Sequence, residues 1–172
     1  EPIEIDDIMS LTVIGATSAI AQSTARAFFD AGHDLVLVSR DTNYLNQFSV
    51  DGQKNEPRVV NWRGSVSDLE SAKAMAEYVI KTLGKDPYIL IAVGSIENQD
   101  QAKNSVSDAI RIIDVNFRNL VALISPIADA VKQNGVGRLI IISSVAGDRG
   151  RQSNYIYGSA KAGLSVYAQG LR

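Results

Sequence analysis

Cysteine is absent from the 172 residues, which excludes disulfides, thiolate nucleophiles and thiolate-bound metal. That lack is compatible with the cytoplasm, and a cytoplasmic location is the expectation. Histidine occurs once, as His33 directly after Gly32; it reads as a solvated loop residue with no serine or aspartate at a recognisable triad spacing. No metal site is expected. Charge of one sign is not concentrated anywhere: the formal net charge is -2 and there is no basic block. This argues against nucleic acid or an anionic membrane as the main partner. Long apolar runs are missing as well. The segment Leu120 to Val131 is interrupted by Ser125, Pro126 and Asp129, and it falls short of the roughly 18–20 residues that span a bilayer. Glu1 to Asp7 is acidic and lacks the basic start of a signal peptide. Residues 1–8 are expected to be a flexible leader or tag ahead of a single domain over 9–172. With 45% apolar and 21% charged residues, the chain has the composition of an ordinary globular domain.

What is present alternates. Leu11 to Ile14 is a short apolar run ending at Gly15. Ala19 to Ala31 has helical apolar spacing and a stop at Gly32. Leu35 to Val38 is continuous and apolar, as in a strand covered on both faces. Residues 41–57 are polar and predict a short helix and a loop. Arg58 to Trp62 reads as a strand, and Ser67 with Glu70 reads as a capping box for a helix running to about Leu83. A strand over Tyr88 to Val93 comes next, then a long helix from Asp108 to about Gln133 with a kink expected at Pro126. Arg138 to Ile142 is another strand, and the chain is helical from Tyr155 onward. Strand and helix alternating about five times predict an α/β fold: a doubly wound parallel sheet of the Rossmann type in three α/β/α layers. In such sheets ligands bind where strands end, which directs attention to Gly15, Ser39, Gly64, Gly94 and Ser144.

Gly15-Ala16-Thr17-Ser18-Ala19-Ile20-Ala21 links the first strand to the first helix. A turn of this kind aims backbone N–H groups at a pyrophosphate. Gly15 makes the turn, Thr17 and Ser18 offer hydroxyls, and the small Ala19 and Ala21 permit close approach. The segment is similar to the glycine motif T-G-x-x-x-G-x-G of the short-chain dehydrogenase/reductase family. Gly15 matches the first glycine, Ala19 and Ala21 replace the second and third, and Ile14 stands in place of the threonine. The resemblance implies that Gly15, Thr17, Ser18, Ala19 and Ile20 hold the cofactor. Ser39-Arg40 ends the second strand, where an acid would bind a ribose 2′-hydroxyl. A hydroxyl followed by a guanidinium suits a 2′-phosphate instead, so NADP(H) is favoured over NAD(H). Two family landmarks are altered. Ser65, followed by Val66, stands where the family places an aspartate near the adenine, and Ile91-Ala92-Val93-Gly94 stands where it has N-N-A-G. Ser65, Val66, Ala92, Val93 and Gly94 are nonetheless expected in the cofactor site.

Tyr157-Gly158-Ser159-Ala160-Lys161 puts a phenol and an ammonium at i and i+4, on one helical face. A phenol is ordinarily a poor acid–base at neutral pH, and a cation one turn away favours the phenolate. Tyr-x-x-x-Lys also occurs as a surface pair in many helices. Here Ser143-Ser144-Val145-Ala146-Gly147 precedes it, with residues 144 and 157 separated by 13 positions. Ile141 to Ala162 thereby resembles the family's I-S-S-x-A-G…Y-x-x-S-K stretch, with Ala160 at the usual serine. The resemblance implies a catalytic set of Ser144, Tyr157, Lys161 and Asn116, the last in Asp114-Val115-Asn116-Phe117. In the family that asparagine holds a water linking the lysine to solvent. The resemblance also implies that Tyr157 and Lys161 face the nicotinamide ribose. Taken together, the resemblance implies an NADPH-dependent oxidoreductase moving a hydride between nicotinamide and a small carbonyl or alcohol, in a homodimer or homotetramer. The alternatives are an inactive nucleotide-binding sensor or scaffold and a sugar-nucleotide epimerase or dehydratase. The family continues beyond the position of Arg172 with a further strand, a substrate-covering loop, a helix and a strand, so the C-terminal part is expected to be missing here.

Overall fold

The structure, a computed structural model, describes residues 9–41, 59–84, 86–96 and 99–172. The expected leader over 1–8 and the expected helix and loop over 41–57, apart from Asp41, lie outside the described residues. Five strands form one parallel sheet: β1 (Ser10–Ile14), β2 (Asp34–Ser39), β3 (Val59–Arg63), β4 (Pro87–Ile91) and β5 (Arg138–Ile141). Their order across the sheet is β3-β2-β1-β4-β5. The chain winds outward from β1 through β2 to β3, then returns to the other side of β1. This reversal opens a crevice at the carboxyl ends of β1 and β4.

The side chains of β1 and β2 alternate between two apolar layers. Ile14, Val36 and Val38 face α2 (Leu69–Thr82), α5 (Asn119–Asn134) and α6 (Tyr155–Gly170), meeting Met75, Leu123 and Leu164. Leu11, Val13, Leu35 and Leu37 face α1 (Ala19–Asp30) through Ala21 and Ala25. The sheet centre is thus covered on both faces, which is why its strands read as unbroken apolar runs.

Several expectations are corrected in detail. The cap of α2 is Asp68, not Ser67. Its carboxylate accepts from the Ser71 amide at 2.8 Å and the Ser71 hydroxyl at 2.9 Å, while Glu70 pairs with Lys73 instead of reaching back. The long helix is not continuous: α4 (Val106–Ile113), capped by Ser105, passes through a π turn (Asp114–Arg118) into α5. Pro126 lies within α5, but the interruption in the backbone ladder is the π turn. The structure adds a short α3 (Gln99–Ala102) and a 3₁₀ turn (Val145–Gly147) to the expected elements. β4 ends at Ile91 and β5 at Ile141, each short of the expected end.

Candidate active site

The turn after β1 is built on Gly15, whose φ of +86° is in the left-handed region. A Cβ there would lie 2.6 Å from the Ala92 carbonyl oxygen, so the position needs glycine for both its backbone and its surroundings. Gly15 and Ala16 donate their amides to the Val38 carbonyl. Ser18 caps α1, its hydroxyl oxygen accepting from the Ala21 amide at 3.2 Å. That bond leaves the hydroxyl hydrogen able to point outward.

A cleft of about 330 Å³ opens here, at the carboxyl ends of the strands. Among its walls are Gly15, Thr17 and Ser18 on one side, Ser39 and Arg40 at the end of β2, and Ser65 and Val66 after β3. Ala92, Val93 and Gly94 line it after β4. Ala19 and Ile20, exposed on the first turn of α1, do not line it. Arg40 is exposed, whereas Ser39 is buried with its hydroxyl accepting from the Asp41 amide. Sequence reasoning missed Arg111 and Ser95 on the wall. Arg111 stands one turn before Val115, another wall residue, and it pairs with Asp108 at 3.1 Å. Nothing in its spacing from Asn116, five positions on, pointed to it. Ser95 carried no signal at all.

Tyr157 and Lys161 are not on the cleft wall itself. Lys161 lies immediately behind Gly94, where an added Cβ would come 3.2 Å from its Nζ. Its side chain is 2% exposed. Nζ donates to the Val93 carbonyl at 3.0 Å and the Ile142 carbonyl at 3.3 Å. These are the strand ends that stop early: where β4 and β5 run out, the ammonium takes their carbonyls in place of further ladder. Burial disfavours the charged form and lowers the Lys161 pKa to about 8. The Tyr157 ring centroid is 5.9 Å from Nζ, so the phenol and ammonium share one side of α6.

Asn116 is fully buried within the π turn. Its Oδ1 accepts from the Ser95 amide at 3.0 Å, and its Nδ2 donates to the Ser95 carbonyl at 3.0 Å and the Ile112 carbonyl at 2.9 Å. The amide thus holds the segment after β4 by both backbone groups of one residue. Asn119, one turn on, is buried too; its Nδ2 donates to the Val66 carbonyl at 2.8 Å and its Oδ1 has no partner. Ser144 caps the 3₁₀ turn, accepting from the Ala146 amide at 3.1 Å. That turn sits on α6 at Gly158, where a Cβ would meet the Ala146 carbonyl oxygen at 2.5 Å. Ser143, by contrast, points at α6 and donates to the Lys161 carbonyl. The structure therefore brings Gly94, Asn116 and Lys161 into direct proximity, with Tyr157 beside the lysine. Ser144 is joined to them through the turn that seats against α6.

A family model described as short chain dehydrogenase matches residues 10–172. An uncharacterized oxidoreductase of Streptomyces coelicolor is 33% identical over 163 residues, covering 94% of this chain and 64% of that protein. An uncharacterized oxidoreductase of Mycobacterium tuberculosis is 30% identical over 162 residues, covering 94% of this chain and 65% of that protein. The chain thus spans just under two thirds of the length of these relatives. Among solved structures, a short-chain dehydrogenase from Sphingobium yanoikuyae in complex with NADPH superposes with a TM-score of 0.79 at 23% identity. That match covers 95% of this chain and 64% of the other.

Proposed function

The chain belongs to the short-chain dehydrogenase family, and we propose that the protein is an NADPH-dependent oxidoreductase acting on a small carbonyl or alcohol, with Tyr157 as its acid–base. The observation that carries this reading is the buried Lys161 ammonium, on the same side of α6 as Tyr157 and directly behind Gly94 on the cleft wall. The cleft suits a dinucleotide. Gly15 and Gly94 supply walls without side chains, and Thr17 and Ser18, at the N-terminus of α1, line the space beside them that a pyrophosphate would take.

A bound nicotinamide supplies or takes the hydride. In reduction the Tyr157 hydroxyl delivers its proton to the carbonyl oxygen, and in oxidation it removes one. Ser144 donates a hydrogen bond to the same oxygen. Lys161, with two N–H groups on the Val93 and Ile142 carbonyls, would turn the third to a ribose hydroxyl, its positive charge favouring the Tyr157 phenolate. Asn116 fixes Ser95 and, with it, the wall that Lys161 lies behind; a relayed water would sit on the same elements. At the far end Ser39 and Arg40 would hold the adenosine ribose, where the guanidinium would favour a 2′-phosphate. Ser65, Val66, Ala92 and Val93 would hold the adenosine, and Thr17 and Ser18 the phosphates. A homo-oligomer formed through the last long helices, where Val166 is exposed, and a cytoplasmic setting belong to the same proposal.

The test is Tyr157→Phe. Turnover of a carbonyl panel with NADPH is expected to fall below detection while NADPH still binds; retained turnover would sink the assignment. One observation favours a second reading, a nucleotide-binding scaffold without turnover: Ala92 and Val93 line the cleft where the family places hydrogen-bonding asparagine and alanine. NADPH binding by the native protein with no turnover on any carbonyl would establish it.

A further inference from the structure

Ser143 is adjacent to the proposed catalytic serine, yet it faces the other way. Ser144 is extended, with φ −159° and ψ 143°, so successive side chains point to opposite sides. The Ser143 hydroxyl donates to the Lys161 carbonyl at 3.0 Å and lies 2.6 Å from the Ser165 hydroxyl. Each hydroxyl has a single proton. With the Ser143 proton on the carbonyl, Ser165 must donate to Ser143. The chain Ser165 to Ser143 to the Lys161 carbonyl is therefore fully committed.

Ser165 is one turn beyond Lys161, so both ends of this chain lie on one stripe of α6. The glycine contact at Gly158 fixes how closely the helix approaches the 3₁₀ turn. It restricts how the helix is turned about its own axis less sharply than a hydrogen bond does, because a packing contact is far less directional. At the observed rotation Lys161 reaches the Val93 and Ile142 carbonyls.

Building on the oxidoreductase reading above, we propose that Ser143 and Ser165 are positioning residues: their hydroxyl pair sets the rotation of α6 and so places the Lys161 ammonium and the Tyr157 phenol. The bond is made to the backbone of the lysine itself, which leaves little lever arm between the anchor and the groups it aims. The expected effect of Ser143→Ala is a loss of about tenfold in kcat, smaller than the about 100-fold that a 1 Å misplacement can cause.

The experiment uses the native protein labelled with ε-¹³C lysine. The Lys161 resonance is assigned by its loss in Lys161→Arg, and kcat is measured on the best carbonyl of the panel. Ser143→Ala and Ser165→Ala are each expected to move the Lys161 resonance and lower kcat, and Ser143→Thr, which keeps the hydroxyl, to restore both. A Lys161 resonance unchanged in both alanine variants overturns the proposal, as does a moved resonance with undiminished kcat. If the native protein turns over no carbonyl while the resonance still moves, the oxidoreductase reading fails and the anchoring of Lys161 stands. Should Ser143→Ala not fold, Ser165→Ala carries the same readouts.

Discussion

Lys161 is the one charged side chain that is buried among the described residues, and no ion pair among those residues neutralises it. Its ammonium is stabilised by two carbonyl dipoles. With its pKa lowered from 10.5 to about 8, the unfolded chain holds this proton over a range where the folded one has released it. Stability of the ligand-free protein should therefore rise as pH increases from about 8 towards 10.5, because the unfolded state binds more protons there. Lys161→Met should flatten that rise, as seen in urea midpoints measured across the range. The two buried asparagines provide a second prediction at this scale. Asn116→Ala strands the Ser95 amide and carbonyl and should cost about 3 kcal/mol. Asn119→Ala strands only the Val66 carbonyl and also removes an oxygen that already lacks a partner. Its cost should be about 1 kcal/mol. Urea unfolding of the pair checks the order, and equal losses would contradict it.

Among the elements, two of the three glycines of α6 have opposite demands. Alanine at an open helical site gains about 1 kcal/mol over glycine. At Gly158 the new methyl would stand 2.5 Å from the Ala146 carbonyl oxygen, and the collision outweighs the gain. Gly158→Ala should lower the melting temperature by about 5 °C. Gly170→Ala, with nothing within 4 Å, should leave it unchanged or raise it. Calorimetry on both variants would show the split. The chain of residues announced α6, because Tyr157 and Lys161 stand at helical spacing, and it announced the strands, because burial on both faces leaves no polar alternation. It did not announce that α4 and α5 are joined by a π turn. That departure from the helical ladder places Asn116 towards Ser95, a contact 21 positions away that no local pattern encodes. The bonds just past the ends of β4 and β5 were hidden for the same reason, since the ammonium that makes them arrives from α6. Ser67 and Asp68 are both good caps, and the carboxylate prevails by taking two bonds from Ser71.

Across the whole molecule, the cleft joins the ends of four strands to helices on one layer, so an occupant touching all of them should tighten the fold as a unit. NADPH at about 100 times its Kd should add about 2.7 kcal/mol, read as a higher melting temperature. NADH at the same concentration should add less. Arg40→Ala should erase most of the difference between the two; a variant that keeps the full NADPH advantage would remove Arg40 from cofactor selection. Lys161 has a wider consequence. A lysine that fastens the tips of two neighbouring strands would be retained for architecture even in a descendant that had abandoned chemistry. Its survival in a relative is therefore poor testimony to turnover. The Tyr157 ring packs against Ile112 and Ile156, but its hydroxyl has no such second employment, for no described hydrogen bond engages it. Drift would erase the phenol first, which makes it the better witness when living enzymes of this lineage are to be told from their silent cousins.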